Sequence, residues 1–135
     1  MENKDGLDIA FCAIKDNTLL FSGANNPLWL VRNKQLKELA ADKQPIGFHP
    51  KPTPFVLHTE QLQKGDTIYL FTDGYADQFG GPKRKKFMYR NFAELIVSLR
   101  DKNMDEQKNT LDRTIEEWRG DLEQIDDILI IGIKI

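Results

Sequence analysis

The chain has 135 residues, of which 40% are hydrophobic and 30% charged, and its formal net charge is −2. This is one domain's length with the balance of a globular protein, and the small negative charge gives no electrostatic reason for binding nucleic acid. No apolar run approaches the ~20 residues that span a bilayer, the first residues are too polar for a signal peptide, and a single cysteine fits a reducing cytoplasm.

The first half of the chain predicts β-strands separated by turn residues. Apolar and β-branched runs bounded by Asn, Asp, Gly and Pro indicate strands at 9–14, 18–22, 28–31, 35–39, 55–58 and 67–71. A loop rich in Pro and Gly covers residues 42–54. The single cysteine, Cys12, lies in the first apolar run, and we interpret it as core filling rather than as a nucleophile.

The second half predicts a polar loop, two helices and a closing strand. The loop covers residues 73–86 and ends in a basic run, 83–86, which either attracts a phosphoprotein or is a solvated loop. Apolar spacing predicts a helix at 91–100 with Asn91 as its N-cap. A second helix begins at Asn103, with Glu106 completing a capping box, and Gly120 ends it. Residues 128–133 form a strand that is apolar on both faces.

The doubly apolar strands indicate the architecture. Strands at 9–14, 68–71 and 128–133 require cover on both faces, yet two helices can cover only one side of one sheet. We therefore expect an α+β fold in which two antiparallel sheets pack face to face, with the helix pair on one outer face. The other outer face would lack cover from this chain, and exposed apolar surface of that kind predicts a homodimer or a swapped assembly that buries it.

Carboxylates stand at the ends of two of these strands. Asp73 follows the strand at 67–71, and Asp126 and Asp127 precede the closing strand. An antiparallel arrangement would bring Asp73 and Asp126 to one sheet edge, where a hard divalent cation such as Mg²⁺ or Mn²⁺ would compensate their charge. Gly74 allows a sharp turn after Asp73. The alternative is that both motifs are ordinary solvated turns.

Three segments carry a resemblance to a known family. Residues 71–77 read Phe-Thr-Asp-Gly-Tyr-Ala-Asp, which resembles the "(S/T)-D-G-x-x-(D/E)" motif of type 2C (PPM) protein phosphatases. Asp126-Asp127 before an apolar strand is similar to that family's closing "D-(D/N)" motif. Residues 23–27, Gly-Ala-Asn-Asn-Pro, resemble the "A-G-H-x-P" segment of the bacterial SpoIIE-type branch. The three motifs occur in the family's order, and the resemblance covers residues 8–135.

The resemblance implies an αββα sandwich with a binuclear Mn²⁺ or Mg²⁺ centre at one edge. Asp73 and Asp126 would be metal ligands, and a metal-bound water would attack the phosphorus of a phosphoserine or phosphothreonine. The substrate in this branch is typically a phosphoserine on an anti-sigma-factor antagonist. Gly74, Asp77, Asp127 and Asn25 would support the site, Asn25 standing where the branch often has histidine.

One departure from the family limits what the chain should do alone. The family's first metal-binding segment, "G-D-x-x-G-H-G", is absent, and its bridging aspartate has no counterpart here. Residues 1–135 therefore resemble the C-terminal part of one phosphatase domain, and Met1 can be a start inside a longer protein. We expect the chain alone to have little or no activity. Two alternatives stay open: a non-catalytic phosphatase-like interaction module, and a β-rich structural domain with chance motifs.

Overall fold

A computed structural model describes residues 5–135, which form eleven strands and three helices. The strands are β1 (Gly6–Leu7), β2 (Ile9–Lys15), β3 (Thr18–Ala24), β4 (Leu28–Arg32), β5 (Gln35–Leu39), β6 (Ile46–Gly47), β7 (His58–Gln61), β8 (Thr67–Phe71), β9 (Phe79–Gly80), β10 (Lys85–Lys86) and β11 (Ile130–Lys134). The helices are α1 (Gly74–Asp77), α2 (Tyr89–Ser98) and α3 (Met104–Arg119).

The strands pair into two larger antiparallel sheets and two small ribbons. The larger sheets have the strand orders β11-β8-β4-β5 and β2-β3-β7. The ribbons join β1 to β6 and β9 to β10. This arrangement confirms the predicted α+β class with antiparallel sheets.

The central strands of the four-stranded sheet, β4 and β8, are buried on both faces because their apolar side chains point alternately to each face. Leu30 of β4 and Ile68 of β8 face the three-stranded sheet, where they pack with Phe21 of β3. Trp29 and Tyr69 point the other way, into a core shared with the helices. The buried helix residues of that core are Phe92, Ile96, Leu111 and Ile115. The predicted helix pair therefore lies on one outer face of the sandwich.

The predicted cover on both faces holds for β8 but is wrong for two other strands within residues 5–135. In β8, Ile68 and Tyr69 point to opposite faces and both are buried. In β2, Phe11 is 66% exposed on the outer face of the three-stranded sheet, as expected for a face without helix cover. In β11, an edge strand, Ile131 is 44% exposed.

Three predicted element boundaries are wrong. The strand expected at 55–58 begins only at His58, and Val56 lies in an exposed segment before it. The helix expected at 91–100 begins at Tyr89, so Asn91 is not its N-cap; the Asn91 side chain instead donates to the Phe87 carbonyl oxygen at 2.7 Å. The polar loop expected at 73–86 contains α1 and the β9–β10 hairpin.

The predicted ends of α3 are confirmed. Asn103 Oδ1 accepts a hydrogen bond from the Glu106 backbone N–H at 2.8 Å, and Gly120 ends the helix with φ at 56°. At 16 residues α3 is the longest described helix. Within residues 5–135, no helix combines the length and apolar character needed to cross a membrane.

Candidate metal centre

Two neighbouring strands bring the acidic motifs to one edge of the four-stranded sheet. β8 and β11 are antiparallel, and Phe71 at the end of β8 pairs with Ile130 at the start of β11. Beyond this pair, Thr72 connects the segment after β8 to the segment before β11 by two hydrogen bonds. Its hydroxyl donates to the Asp127 carbonyl oxygen at 2.8 Å, and its backbone N–H donates to the Leu129 carbonyl oxygen at 3.0 Å. The residues that follow β8 and precede β11 therefore meet.

Asp73 and Asp126 come together at this edge. The pKa of the Asp73 carboxyl is raised, first by partial burial, then by a hydrogen bond with Asp126 and by the charge of that group. The charge of Asp77 raises it further. The Asp73 and Asp126 carboxyls thus lie within hydrogen-bonding reach, and their negative charges repel each other.

Gly74 allows the segment after β8 to approach the segment before β11 closely. It is buried and begins α1 directly after Asp73. A Cβ at this position would clash with the carbonyl oxygen of Asp127. The glycine is required by the close approach of two backbone segments, which is a different reason from the turn that the sequence suggested.

Asp77 is the last residue of α1. Its backbone N–H donates to the Asp73 carbonyl oxygen at 3.0 Å, and its carboxylate Oδ1 lies 3.4 Å from Lys86 Nζ. Tyr89 lies close to both carboxylates. Burial, and then the charges of Asp73, Asp77 and Glu38, raise the pKa of Tyr89 to about 12. The phenol therefore stays neutral at physiological pH.

The other predicted supporting residues contribute differently. Asn25 has a left-handed φ of 61°, which asparagine tolerates, and its side chain donates to Asp8 Oδ1 at 2.9 Å. The Asn25 side chain thus bonds to Asp8 and not to Asp73 or Asp126. Asp127 acts here through its backbone, accepting from Thr72 and donating its N–H to Asp126 Oδ1 at 2.7 Å.

Sequence reasoning missed two residues of this site. Thr72 lies inside the motif at residues 71–77, directly after a strand. That position could have indicated that it bonds to the neighbouring strand segment. Tyr89 carries no sequence signal, because it reaches the carboxylates only through the packing of α2 against β8 and α1. Its ring lies 6.3 Å from that of Phe71.

The donor set fits part of a divalent-cation site. Paired carboxylate oxygens are hard ligands of the kind that Mg²⁺ and Mn²⁺ select. Partial burial, and then the neighbouring carboxyls of Asp126 and Asp77, raise the pKa of Asp73, and a bound cation would favour its charged form. Within residues 5–135, however, no three His, Cys, Asp or Glu side chains are grouped so that they could hold a metal ion. Asp73 and Asp126 therefore supply a share of such a site without completing it.

The fold of the chain is similar to those of solved phosphatase domains. The SiaA-PP2C domain of Pseudomonas aeruginosa is 29% identical with a TM-score of 0.82, over 88% of this chain and 47% of that domain. The phosphatase domain of SpoIIE from Bacillus subtilis is 18% identical with a TM-score of 0.67, over 96% of this chain and 57% of that one. A serine/threonine phosphatase of S. agalactiae is 18% identical with a TM-score of 0.65, over 94% of this chain and 58% of that one.

These matches fix the fold and the extent of the likeness. The chain has the fold of part of a PP2C phosphatase domain, and it spans about half the length of the solved domains it matches. A search among curated proteins gives no match. The model of the family Stage II sporulation protein E (SpoIIE) matches residues 7–135. The chain therefore belongs to the SpoIIE family, within the PPM superfamily of phosphatases.

Proposed function

We propose that this chain carries the Asp73–Asp126 part of a metal-dependent protein serine/threonine phosphatase domain, and that residues 1–135 are its C-terminal part. The observation that carries the proposal is the meeting of these two carboxyls at the edge formed by β8 and β11. Membership of the SpoIIE family and the fold shared with phosphatase domains support it.

Each residue of the edge has a task in this proposal. Asp73 and Asp126 hold Mn²⁺ or Mg²⁺, and two such ions, when bound in the intact domain, supply the Lewis acid that activates water and neutralises phosphate charge. Gly74 lets the two aspartates approach, and Thr72 holds the strand ends in register. Asp77 adds further negative charge near Asp73. The proposed substrate is phosphoserine or phosphothreonine on a regulatory protein such as an anti-sigma-factor antagonist.

The chain alone is proposed to be inactive or nearly so. No described residue adds a third ligand to the carboxyl pair, and two ligands make a weak site for these hydrated ions. Turnover of a phosphoserine peptide by the purified chain in Mn²⁺ would contradict this part of the proposal.

Calorimetric titration with Mn²⁺ tests the site. We expect the wild-type chain to bind Mn²⁺ weakly, because two carboxylates supply few ligands, and Asp73→Asn and Asp126→Asn to abolish the binding heat. Asp16→Asn is the matched control. Asp16 lies in the turn between β2 and β3, and asparagine suits its φ of 50°. Identical isotherms for the wild type and Asp73→Asn would overturn the proposed metal site.

A second candidate function is a non-catalytic interaction module with the phosphatase fold. The incomplete ligand set and the exposed apolar face of the three-stranded sheet favour it. The reading frame upstream of Met1 separates the two candidates. An in-frame segment that carries the missing aspartate motif favours the phosphatase, and a genuine start codon at Met1 favours the interaction module.

A further inference from the structure

The β9–β10 hairpin concentrates positive charge in a chain whose net charge is −2. Its turn and second strand carry Lys83, Arg84, Lys85 and Lys86 in succession, and all four are exposed. Lys86 pairs with Asp77 at 3.4 Å. Across residues 5–135 the ion pairs formed by Lys and Arg side chains include none from Lys83, Arg84 or Lys85. These three residues, here called the basic tip, are available to a partner.

The hairpin is held rigidly at its base. The Gly81 backbone N–H donates to the Trp118 carbonyl oxygen at 2.9 Å, and Trp118 Nε1 donates to the Gln78 carbonyl oxygen at 3.0 Å. Gly80 packs so closely on Trp118 that a Cβ there would clash with the Trp118 carbonyl. On the other side, the Phe87 ring is buried 5.5 Å from that of Trp118. The cations therefore project from a fixed platform, which reduces the entropy lost when a partner binds.

The hairpin stands beside the carboxyl pair. Lys86 contacts Asp77, and Asp77 is one turn of α1 away from Asp73. With a rise of 1.5 Å per residue, that turn covers about 6 Å, and the two residue steps from Lys86 to Arg84 cover about 7 Å. The Lys86–Asp77 ion pair thus places the basic tip near the acidic edge, within reach of an extended substrate peptide bound there.

We propose that Lys83, Arg84 and Lys85 bind an acidic segment that flanks the phosphorylated residue of a protein substrate. This inference rests on the proposed phosphatase function, since it takes the phosphoryl group to lie at Asp73 and Asp126. Without bound metal ions, the three carboxylates of Asp73, Asp77 and Asp126 repel a phosphoserine, which carries a charge of about −2 at pH 7. A neighbouring cationic surface offsets that repulsion during the encounter and selects substrates by the charge of their flanks.

Charge and size favour a protein over a polyanion as the partner. Nucleic acid binding of useful strength neutralises roughly six to ten phosphates, and the basic tip has three free cations within an acidic chain. The carboxylates of Asp73, Asp77 and Asp126 next to it would repel a continuous polyanion. A short acidic stretch can contact the tip and leave those carboxylates to the phosphoryl group.

Fluorescence anisotropy with labelled peptides tests the inference without metal or turnover. Three phosphoserine peptides are compared, with flanks rich in Glu, neutral, or rich in Lys, at low and high salt. We expect the wild-type chain to bind the acidic peptide about tenfold more tightly than the neutral one, the summed effect of three exposed ion pairs, and to lose most of that preference at high salt.

Three variants are compared with the wild type in the same assay. The triple variant K83Q/R84Q/K85Q should bind the acidic and neutral peptides equally, whereas K83R/R84K/K85R should keep the preference. K15Q/K51Q/K64Q removes the same charge from exposed lysines elsewhere and should behave as wild type. An unchanged preference in K83Q/R84Q/K85Q would overturn the inference, as would tighter binding of the wild type to an oligothymidine or an anionic vesicle than to the acidic peptide.

The two proposals fail in different experiments. If the phosphatase proposal is wrong, the Mn²⁺ isotherms of the wild type and Asp73→Asn coincide while the peptide preference persists. If the basic tip has no role in recognition, the peptide preference is absent in the wild type while the Mn²⁺ titration still depends on Asp73.

Discussion

The two outer faces of the sandwich differ sharply although the strands beneath them are similarly apolar. The four-stranded sheet turns Trp29, Tyr69 and Phe71 toward helices that bury them. The three-stranded sheet turns Phe11 and Leu20 outward, where they are 66% and 38% exposed. An apolar strand pattern therefore indicates that a face would be stabilised by burial. Whether the face is buried depends on the other elements that pack against it.

The largest expected difference is between alanine substitutions of one aromatic residue on each face. Phe92 is fully buried, with its ring 4.6 Å from Tyr75 and 5.1 Å from both Trp29 and Phe71. Phe92→Ala should lower the free energy of unfolding by about 3–5 kcal/mol, because it leaves a large cavity. Phe11→Ala should cost under about 0.5 kcal/mol. Urea unfolding of both variants measures this, and similar losses would show that the two faces are not different.

Next in size is a charged pair that links the two sheets. Asp66 is 1% exposed and accepts from Arg32 Nε at 2.9 Å and Nη2 at 2.7 Å, while Arg32 Nη2 also donates to the Gln61 carbonyl oxygen of β7. Asp66→Asn should cost about 1–3 kcal/mol at pH 7, since it weakens a buried bond to a charged group. Glu94→Gln, in an exposed pair with Arg90, is the control and should cost under about 0.5 kcal/mol.

The same pair predicts a pH dependence. The hydrogen bond from Arg32 holds the pKa of Asp66 below its ordinary value, despite burial. Because the folded pKa is lower than the unfolded one, the stabilisation is fully present above the ordinary Asp pKa of about 4 and is lost as pH falls through the lowered value. Urea midpoints measured below pH 4 should therefore fall more steeply for the wild type than for Asp66→Asn. Parallel curves would contradict the linkage.

A loss of similar size is expected at the carboxyl edge, where β8 ends and β11 begins. Gly74→Ala introduces a Cβ that clashes with the Asp127 carbonyl oxygen, so the strand ends must separate. We expect a loss of about 1–3 kcal/mol, the range for overpacking, together with a weaker Mn²⁺ response. Gly65→Ala is a control for steric space, because no atom lies within 4 Å of a Cβ there. Its loss reflects only its φ of 94°.

The smallest effect on stability, and the most direct test of the exposed face, is a charge placed on it. We propose that this face associates in a homodimer. Phe11→Asp should convert dimer to monomer in sedimentation velocity at tens of micromolar. At concentrations low enough for the wild type to be monomeric, it should change the unfolding free energy by under about 0.5 kcal/mol. Ile125→Asp, at a 58% exposed residue outside this face, should leave the mass unchanged. A wild-type chain that sediments as a monomer would contradict the proposed dimer.

The sequence was sufficient for features that depend on local pattern. Strand alternation placed Tyr69 and Ile68 on opposite faces, Asn103 and Glu106 fixed the start of α3, and the antiparallel logic of β8 and β11 brought Asp73 toward Asp126. These signals need only neighbouring residues or one strand pair.

Features decided by distant packing could not be predicted from the sequence. Residues 73–86 appear polar with two glycines, but Tyr75 is buried against Phe87 and Phe92, and Trp118 of α3 holds Gly80 and Gly81. This tertiary packing creates α1 and the hairpin. In the same way, the apolar residues 55–57 suggested a strand, whereas pairing with β3 selects His58–Gln61. Tyr89 reaches the site by the same kind of long-range contact.

The bond from the Thr72 hydroxyl to the Asp127 carbonyl joins residues 55 positions apart. Helices α2 and α3 lie within that interval and can form early, from contacts between near neighbours in the chain. The carboxyl edge cannot form until this long loop closes and β11 pairs with β8, which makes it a late event in folding. A chain interrupted during synthesis before residue 126 would therefore hold its helices and most of its sheets while lacking the paired aspartates.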